Sequence, residues 1–348
     1  MLVTIVFLFL NRKLPVEVVF IIGYFIFLNA VDLINGYFSG AAFSNMMEDV
    51  KPLLNIFLLC YLSYSINDVK DIHFIIKLLK FSSIVLVIFH LIFYAAYLIF
   101  NDFAVLYAAI NSQQGDNTVF FFKGESGFLN YTGDLYLCIG FIVWEQYHEG
   151  KLTKYLALLG ITLAIILTGT RGLIFALGAT YFIKLLILKF NYKSIIYIIM
   201  GVAFVIGMYL KIKDDIGDKE DSDRIRYETI NQVIENVSPV SVLIGHGFGI
   251  GVPIRPDHME ISYLEVFHKQ GFLGLGYYLL LFIIAYIEYK KDSGKNKIGF
   301  FMFVIFVYFL SFTNPYVNHP LGISIISIAI VCMIRLNKFK DQNGLIFQ

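Results

Sequence analysis

Long apolar blocks, separated by short polar segments, limit the possible folds of this chain more than any other feature of its sequence. The 348 residues are 58% hydrophobic and 15% charged, with a mean hydropathy of +0.73. A soluble globular domain is nearer half apolar and a quarter charged. Blocks of this length and purity are typical of membrane-crossing helices. The sequence therefore predicts an all-α polytopic membrane protein.

The blocks predict about eleven transmembrane helices, several of them short enough to need tilting or a locally thin bilayer. They lie at residues 1–11, 16–35, 52–66, 80–100, 128–146, 155–170, 172–188, 194–211, 271–288, 298–314 and 320–336. No small-residue cleavage site follows the first block, which argues against a removable signal peptide and for a short or partial first helix. All of residues 1–348 are expected to form a single integral membrane domain.

The positions of lysine and arginine predict the orientation. If the C-terminus is cytoplasmic, strict alternation puts most of the 27 lysines and arginines on the inner side, in agreement with the positive-inside rule. Residues 212–262 then form the long external loop. This loop is too short for an independent domain and is expected to be a structured cap. The net charge of +1 gives no indication of nucleic-acid binding.

One arginine, Arg171, stands in the apolar run LTGTRGLIFALG. Gly169 and Gly172 allow a tight backbone turn there, and Thr168 and Thr170 can satisfy backbone groups that the turn frees. Two interpretations stay open. The arginine can extend its guanidinium to lipid headgroups from an interfacial position, or it can bind an anion, because its planar fork suits phosphate.

A helix is predicted from about Arg224 to Val237 of the external loop. On a helical wheel, Arg226 shares one face with a set of apolar residues, whereas Arg224 lies opposite. That apolar set comprises Ile230, Val233, Ile234 and Val237. Arg226 is therefore the stronger candidate for a binding site and Arg224 the weaker one. The alternative for both is an exposed ion pair with a nearby carboxylate.

The segment GHGFGIG follows, and its glycines Gly247 and Gly249 are candidates for a close backbone approach to a ligand. It lacks the Gly-Lys-Ser/Thr that completes a P-loop. A tight structural turn is an equally good interpretation.

The segment RPDHMEISYLEVFHKQGFLGLG leads into a membrane span. His258 is the natural general base, because its ordinary pKa lies near neutrality. Glu260 could orient this histidine or act as the base itself, and Arg255 and Tyr263 are further candidates for substrate contacts. A zinc site is an open alternative, but the chain has no histidine or cysteine spacing of a known zinc ligand set. Neither a metal nor another cofactor is predicted.

Three features, in this order, resemble the O-antigen polymerase and O-antigen ligase superfamily, the bactoprenol-dependent glycan polymerases and ligases of bacterial envelopes. They are TGTRG between two spans, an arginine-bearing helix in the long external loop, and G-x-G-x-G followed by HMEISYLEVFHKQGFLGLG. The first is similar to the Ser/Thr-x-Ser/Thr-Arg-Gly element of that family. The last is similar to its Tyr-Leu…Gly-x-x-Gly element at the start of a span.

Two departures from the family pattern favour a polymerase over a ligase. Ligases often carry His-x-His-Asn-x-Tyr-Leu before this span, but here Glu260 and Ile261 stand at the second histidine and the asparagine. The external arginine of the family is usually followed one helical turn later by tryptophan, which neither Arg224 nor Arg226 has.

The resemblance implies a GT-C-like glycosyltransferase of the bacterial inner membrane, with its active site on the periplasmic side. The donor would be a saccharide on undecaprenyl diphosphate and the acceptor a glycan hydroxyl, with inversion and without a metal. Arg171 and Arg226, or Arg224, would stabilise the leaving diphosphate, and His258 or Glu260 would take the proton. A chain-length regulator is a possible partner, besides membrane lipids. The product could be the O-antigen of lipopolysaccharide, a capsule or another exopolysaccharide.

Three other functions remain open. A ligase would transfer the polymer to the lipid A core. A polysaccharide transporter or flippase would carry charges deep in its spans and repeat symmetry, neither of which the sequence shows. A structural or sensory membrane protein is the last alternative.

Overall fold

A computed structural model describes residues 14–99, 120–123, 128–187, 220–291 and 295–343. The chain divides into two compact units: a terminal unit of residues 1–72 and 219–348, and a central unit of residues 73–218. The spans predicted at 1–11 and 194–211, and the start of the external loop at 212–219, lie outside the described residues. The expectation of one integral membrane domain stays a prediction.

Helices make up most of the described chain. The terminal unit holds α1 (Val16–Phe38), α2 (Phe43–Leu53), a 3₁₀ turn (Leu54–Phe57) and α3 (Leu58–Ser65), and α4 (Val69–Ile99) leads into the central unit. The central unit continues with β1 (Phe120–Lys123), β2 (Phe128–Tyr131), a 3₁₀ turn (Thr132–Asp134), α5 (Leu135–Tyr147), α6 (Lys151–Leu167) and α7 (Arg171–Ile187). The terminal unit resumes with α8 (Glu220–Glu235), α9 (Pro239–Ile244), α10 (Ser262–Lys291), α11 (Lys295–Leu310) and α12 (Pro320–Asn343).

Four described helices are long and apolar enough to cross a membrane: α1, α4, α10 and residues Pro320–Phe339 of α12. They coincide with four of the predicted blocks, and Asn296–Leu310 adds a shorter apolar helix. An all-α membrane protein is therefore confirmed. Large aliphatic and aromatic side chains cover much of the outer surface of these helices, including Phe20, Phe74 and Leu279, each more than half exposed. Side chains of this kind are suited to lipid.

The block at residues 52–66 does not form the single helix that the sequence predicts. It breaks into the end of α2, the 3₁₀ turn and the eight-residue helix α3. Pro52 lies inside α2, and the Asn55 side-chain amide donates to the Pro52 carbonyl at 3.1 Å. An asparagine that satisfies backbone groups in this way competes with the helical ladder. The regular helix is interrupted at this point as a result.

The block at residues 128–146 also begins differently from the prediction. Its first residues form β2, which pairs antiparallel with β1, and the helix starts only at Leu135. Asp134 accepts a hydrogen bond from the backbone N–H of Tyr131 at 2.8 Å, and its other carboxylate oxygen lies 2.7 Å from His90. These contacts fix the entry into α5 within the central unit.

Helix α10 is the element that positions the candidate site. It starts at Ser262, before the predicted span, and breaks its helical conformation at Gly271, where φ is 61°. The stretch from Gly271 to Lys291 is about 30 Å long, which is close to the thickness of the bilayer core. The stretch after the break is therefore long enough to cross the bilayer without the turns before Gly271.

Candidate functional site

Two arginines converge on one carboxylate in the terminal unit, and we name Arg226, Arg255 and Glu260 the arginine cluster. The Arg226 Nε donates to Glu260 Oε2 at 2.7 Å, and the Arg255 Nη2 donates to Glu260 Oε1 at 2.6 Å. The three side chains are about one third exposed and line a shallow cleft with Thr229 and Leu264. Two guanidinium groups thus contact one carboxylate at an accessible site.

The packing of α8 on the following loop holds this cluster together. Val233 of α8 is buried against Val252 and Met259 of the loop, each about 1% exposed. The side-chain oxygen of Gln232 accepts a hydrogen bond from the backbone N–H of Ile254 at 3.0 Å. One face of α8 is thereby fixed toward the loop, and Arg226 is fixed toward Glu260.

Arg224 takes the opposite orientation, as the helical wheel predicts. Its side chain is 66% exposed, and its Nε lies 4.0 Å from Glu228 Oε1 one turn along α8. The relative orientation of the two arginines is therefore confirmed, with Arg226 inward and Arg224 outward. A role of either residue in substrate binding stays a prediction.

The predicted apolar face of α8 is only partly correct. Val233 is buried, but Ile234 is 62% exposed and Val237 is 42% exposed. The docked face runs instead through Thr229, which is 4% exposed. The wheel prediction was wrong for Ile234 and Val237 because α8 ends at Glu235 and packs along a narrow stripe.

A second group of charges in the terminal unit comprises Asp49, His258, Glu265 and Lys269, and we name it the lysine cluster. The Lys269 ammonium donates to Asp49 Oδ1 at 2.7 Å, to Glu265 Oε1 at 2.8 Å and to the backbone carbonyl of Asp257 at 2.7 Å. His258 Nδ1 lies 3.2 Å from Glu265 Oε1 and 3.7 Å from Asp49 Oδ1. Both carboxylates and the ammonium are almost fully buried, and each charge is paired.

Three residues of this cluster have the composition of a metal-ligand set. The ligand atoms of Asp49, His258 and Glu265 lie within 4.8 Å of one another. The Lys269 ammonium, however, already contacts one oxygen of each of these two carboxylates. A lysine charge thus takes the position of a cation in this arrangement. The expectation that no metal takes part stays a prediction.

His258 has the environment of a proton acceptor. Its hydrogen bond with Glu265 raises the pKa of the imidazole above its ordinary value, because the carboxylate stabilises the protonated ring. The side chain is 55% exposed, and its other nitrogen, Nε2, makes no hydrogen bond to the residues that the structure describes. His258 also borders a cavity of about 40 Å³, together with Asn318 and Tyr278.

The glycine-rich segment packs against α1 and positions Asp49. The backbone φ of Gly247 is 90°, and a Cβ there would lie 2.0 Å from the backbone nitrogen of Gly36 in α1. Gly249 has φ 77°, and its N–H donates to Asp49 Oδ2 at 2.7 Å. These glycines therefore serve a tight turn with close backbone packing. A direct ligand contact of Gly247 or Gly249 stays a prediction.

We expect Gly247→Ala to destabilise the protein strongly, because the new side chain meets both a left-handed backbone and the backbone of α1. Gly40 is the matched control, since its φ is 83° but nothing lies within 4 Å of its Cβ position. Gly40→Ala should cost only about 1–2 kcal/mol of backbone strain. Thermal unfolding in detergent would measure both, and equal melting temperatures would contradict the packing role.

Tyr263 uses its hydroxyl within the protein. The hydroxyl donates to the backbone carbonyl of Tyr308 in α11 at 2.8 Å, and its ring lies 4.8 Å from the ring of Phe312. These contacts fasten the start of α10 to α11. A substrate contact of Tyr263 stays a prediction.

Arg171 belongs to the central unit. Helix α6 ends at Leu167, Gly169 has φ 59°, and α7 begins at Arg171, whose side chain is exposed. The Thr168 hydroxyl accepts a hydrogen bond from the backbone N–H of Thr170 at 3.1 Å. The predicted helix break, with threonine satisfying the backbone, is thus confirmed.

The structure brings Arg226, Arg255 and Glu260 together and places His258 with Glu265 in the same unit.

Three members of the lysine cluster, Asp49, Glu265 and Lys269, were not predicted as site residues from the sequence. Asp49 is distant from the others in sequence and carries no motif. Lys269 could have been found, because Glu265 and Lys269 are spaced i, i+4 at the start of a span, a spacing that places opposite charges on one helix face.

Comparison with known proteins agrees with the resemblance in the sequence. No protein-family model matches the chain. The chain is 27% identical to an O-antigen polymerase of Shigella flexneri over 317 residues, which cover 89% of this chain and 78% of that protein. This similarity and the apolar helices agree with the resemblance to O-antigen polymerases and ligases that the sequence motifs show. This similarity supports membership of the chain in the O-antigen polymerase and O-antigen ligase superfamily.

Proposed function

We propose that the chain is a polymerase of lipid-linked oligosaccharide repeat units, acting on O-antigen or a related surface polysaccharide. The similarity to an O-antigen polymerase supports this function. The structural observation that carries it is the convergence of Arg226 and Arg255 on Glu260, two positions from His258. Transfer from a lipid diphosphate requires both an anion site and a proton acceptor.

The orientation of α10 supports a site at the outer face of the inner membrane. Lys290 and Lys291 lie in its last turn, which the positive-inside rule assigns to the cytoplasm. The residues before Gly271 then lie at the outer surface, at the level of lipid headgroups. The diphosphate of an undecaprenyl-linked donor lies at the same level, because its polyprenyl chain occupies the bilayer. A topology of about eleven spans and a GT-C-like architecture are part of this proposal.

The proposed reaction is a single displacement at the anomeric carbon of the donor saccharide. The acceptor hydroxyl oxygen forms the new glycosidic bond, and the bond from the anomeric carbon to the phosphate oxygen breaks, with its electron pair leaving on undecaprenyl diphosphate. The hydroxyl proton passes to His258, and the anomeric configuration is inverted. Arg226 and Arg255 stabilise the negative charge that grows on the leaving diphosphate, and this role requires no metal.

Glu260 is better suited to hold the arginines than to take the proton. Each of its carboxylate oxygens already accepts a hydrogen bond from a guanidinium, at 2.6 and 2.7 Å. Among the two predicted bases, this geometry favours His258.

Arg171 is proposed as a further phosphate-binding group on the grounds of its own surroundings. It is an exposed arginine at a helix start, next to a glycine turn between two apolar helices. We expect Arg171→Ala to abolish long glycan chains and Arg171→Lys to retain only part of them, because lysine lacks the bidentate fork. Gel analysis of surface glycan measures both, and full-length chains from the alanine variant would contradict the role.

Deletion of the gene in the bacterium that encodes it, followed by complementation, tests the function itself. Loss of long chains while single repeat units remain attached supports a polymerase. Accumulation of free lipid-linked polymer supports the ligase alternative instead. An unchanged glycan ladder in the deletion strain would contradict both. A chain-length regulator stays a predicted partner.

We expect Glu265→Gln to shift the acid limb of the pH–activity profile to lower pH. A general base must be neutral, so activity rises as the pH passes upward through the pKa of His258. Glu265 raises that pKa, and its neutral replacement lets the pKa fall toward its ordinary value while Lys269 and Asp49 remain beside the ring. Initial rates of a purified enzyme with a lipid-linked donor, measured across pH, give the limb. Glu228→Gln is the control, and a limb that stays fixed would contradict the role of Glu265.

A further inference from the structure

We propose that α9 is a membrane-embedded helix whose outer side contacts lipid acyl chains. Its two large outward side chains, Val240 and Leu243, are 64% and 60% exposed and lie one turn apart. Ile234 and Val237, just before α9 in the sequence, are 62% and 42% exposed. Aliphatic surface of this extent on a polar external segment calls for an apolar occupant.

The contact of α9 with the membrane-spanning helix α10 indicates that lipid covers the exposed side of α9. The backbone carbonyl carbon and oxygen of Leu243 pack so closely on Gly271 of α10 that a Cβ at Gly271 would lie 2.5 Å from them. The next residue of α10, Phe272, is 56% exposed, and Leu279 on the same helix is 58% exposed. The backbone of α9 thus contacts α10 directly before residues of α10 that expose large apolar side chains.

The polar groups of α9 are arranged for an apolar environment. Ser238 and Ser241 form a reciprocal cap: the Ser238 hydroxyl accepts from the Ser241 N–H at 3.1 Å, and the Ser241 hydroxyl accepts from the Ser238 N–H at 2.8 Å. At the other end, the Gly245 N–H donates to the Ser241 carbonyl at 2.8 Å. Pro239 occupies the first helical position, where its missing N–H costs nothing. Backbone groups satisfied in this way can enter a membrane.

The absence of charge on α9 indicates that it contacts lipid acyl chains and not charged headgroups. The sequence of α9, PVSVLI, carries no charge. Attraction to anionic lipid requires lysine or arginine on the contacting face, so binding by α9 should depend on apolar area and be insensitive to salt. This inference does not depend on the proposed enzymatic function.

Tryptophan fluorescence in proteoliposomes tests the proposal directly. The chain has one tryptophan, Trp144, so Trp144→Phe provides the background for Val240→Trp, Leu243→Trp and the control Arg224→Trp. With brominated phosphatidylcholine, the first two variants should lose most of their fluorescence and the control little. Added salt and anionic lipid should leave this difference unchanged. Both positions on α9 are exposed, so the replacements add no volume to the core.

Two results would overturn the proposal. If brominated lipid quenches Trp at both α9 positions as little as at position 224, α9 does not enter the bilayer. Blue-shifted emission at positions 240 and 243 without quenching by brominated lipid would mean that protein, such as a second copy of this chain, covers the surface. Activity measurements play no part in either result, so a failure here is distinct from a failure of the proposed polymerase function.

Discussion

Arg226→Ala is expected to abolish long-chain glycan synthesis, whereas Arg224→Ala, two positions away on the same helix, should leave it unchanged. Loss of one preorganised group that stabilises developing charge typically lowers the turnover rate by about 10²–10³-fold. Arg226 donates to Glu260 in the arginine cluster, but Arg224 is 66% exposed beside Glu228. The two replacements remove the same charge from α8 and differ in which side of the helix loses it.

This comparison separates a local role from a general effect of charge. If the external surface only attracted anionic substrate through its net charge, both variants would lose a similar part of their activity, and the loss would vary with salt. Arg226→Lys adds a second discrimination, because it keeps the charge but loses the planar fork. Chain-length distributions on gels, normalised to the amount of protein in the membrane, give the measurement. Full activity of Arg226→Ala, or equal loss in both variants, would contradict the site.

Sequence reasoning predicted the membrane class and much of the arginine cluster for identifiable physical reasons. Apolar length is a local property, so the spans at α1, α4, α10 and α12 could be read directly. Helical periodicity is also local, and it oriented Arg226 and Arg224 correctly. The wheel prediction was wrong for Ile234, because a helical wheel shows which residues share a face but not how wide the packed stripe of that face is. Periodicity also gives no reason for an apolar side chain to stay exposed.

The lysine cluster could not be predicted from the sequence for a different reason. Its geometry depends on α2 meeting the start of α10, where Lys269 reaches Asp49 over a sequence separation of 220. Contacts of that kind follow from tertiary packing and leave no periodic signal. The glycine-rich segment gave a partial indication, since its conformation is what brings the Gly249 N–H to Asp49. A motif first considered for a ligand therefore fixes the carboxylate next to the candidate base.

His258→Ala is expected to lower the transfer rate by about 10²–10⁴-fold, the usual contribution of a general base, with little change in the amount of folded protein. The ring is 55% exposed, so its removal leaves no large cavity. Lys269 keeps both of its carboxylate contacts without it. Glu260→Gln is the informative comparison: it weakens the hold on the two arginines but removes no proton acceptor if His258 is the base.

The two variants should therefore differ in their pH dependence as well as in rate. His258→Ala should lose the acid limb of the pH–activity profile, because the group that titrates there is gone. Glu260→Gln should keep that limb at a reduced rate, because His258 still sits beside Glu265, whose hydrogen bond raises its pKa. Rates of a purified enzyme with a lipid-linked donor across pH provide the measurement. An acid limb that survives in His258→Ala and disappears in Glu260→Gln would assign the proton to Glu260 and reverse the roles of the two residues.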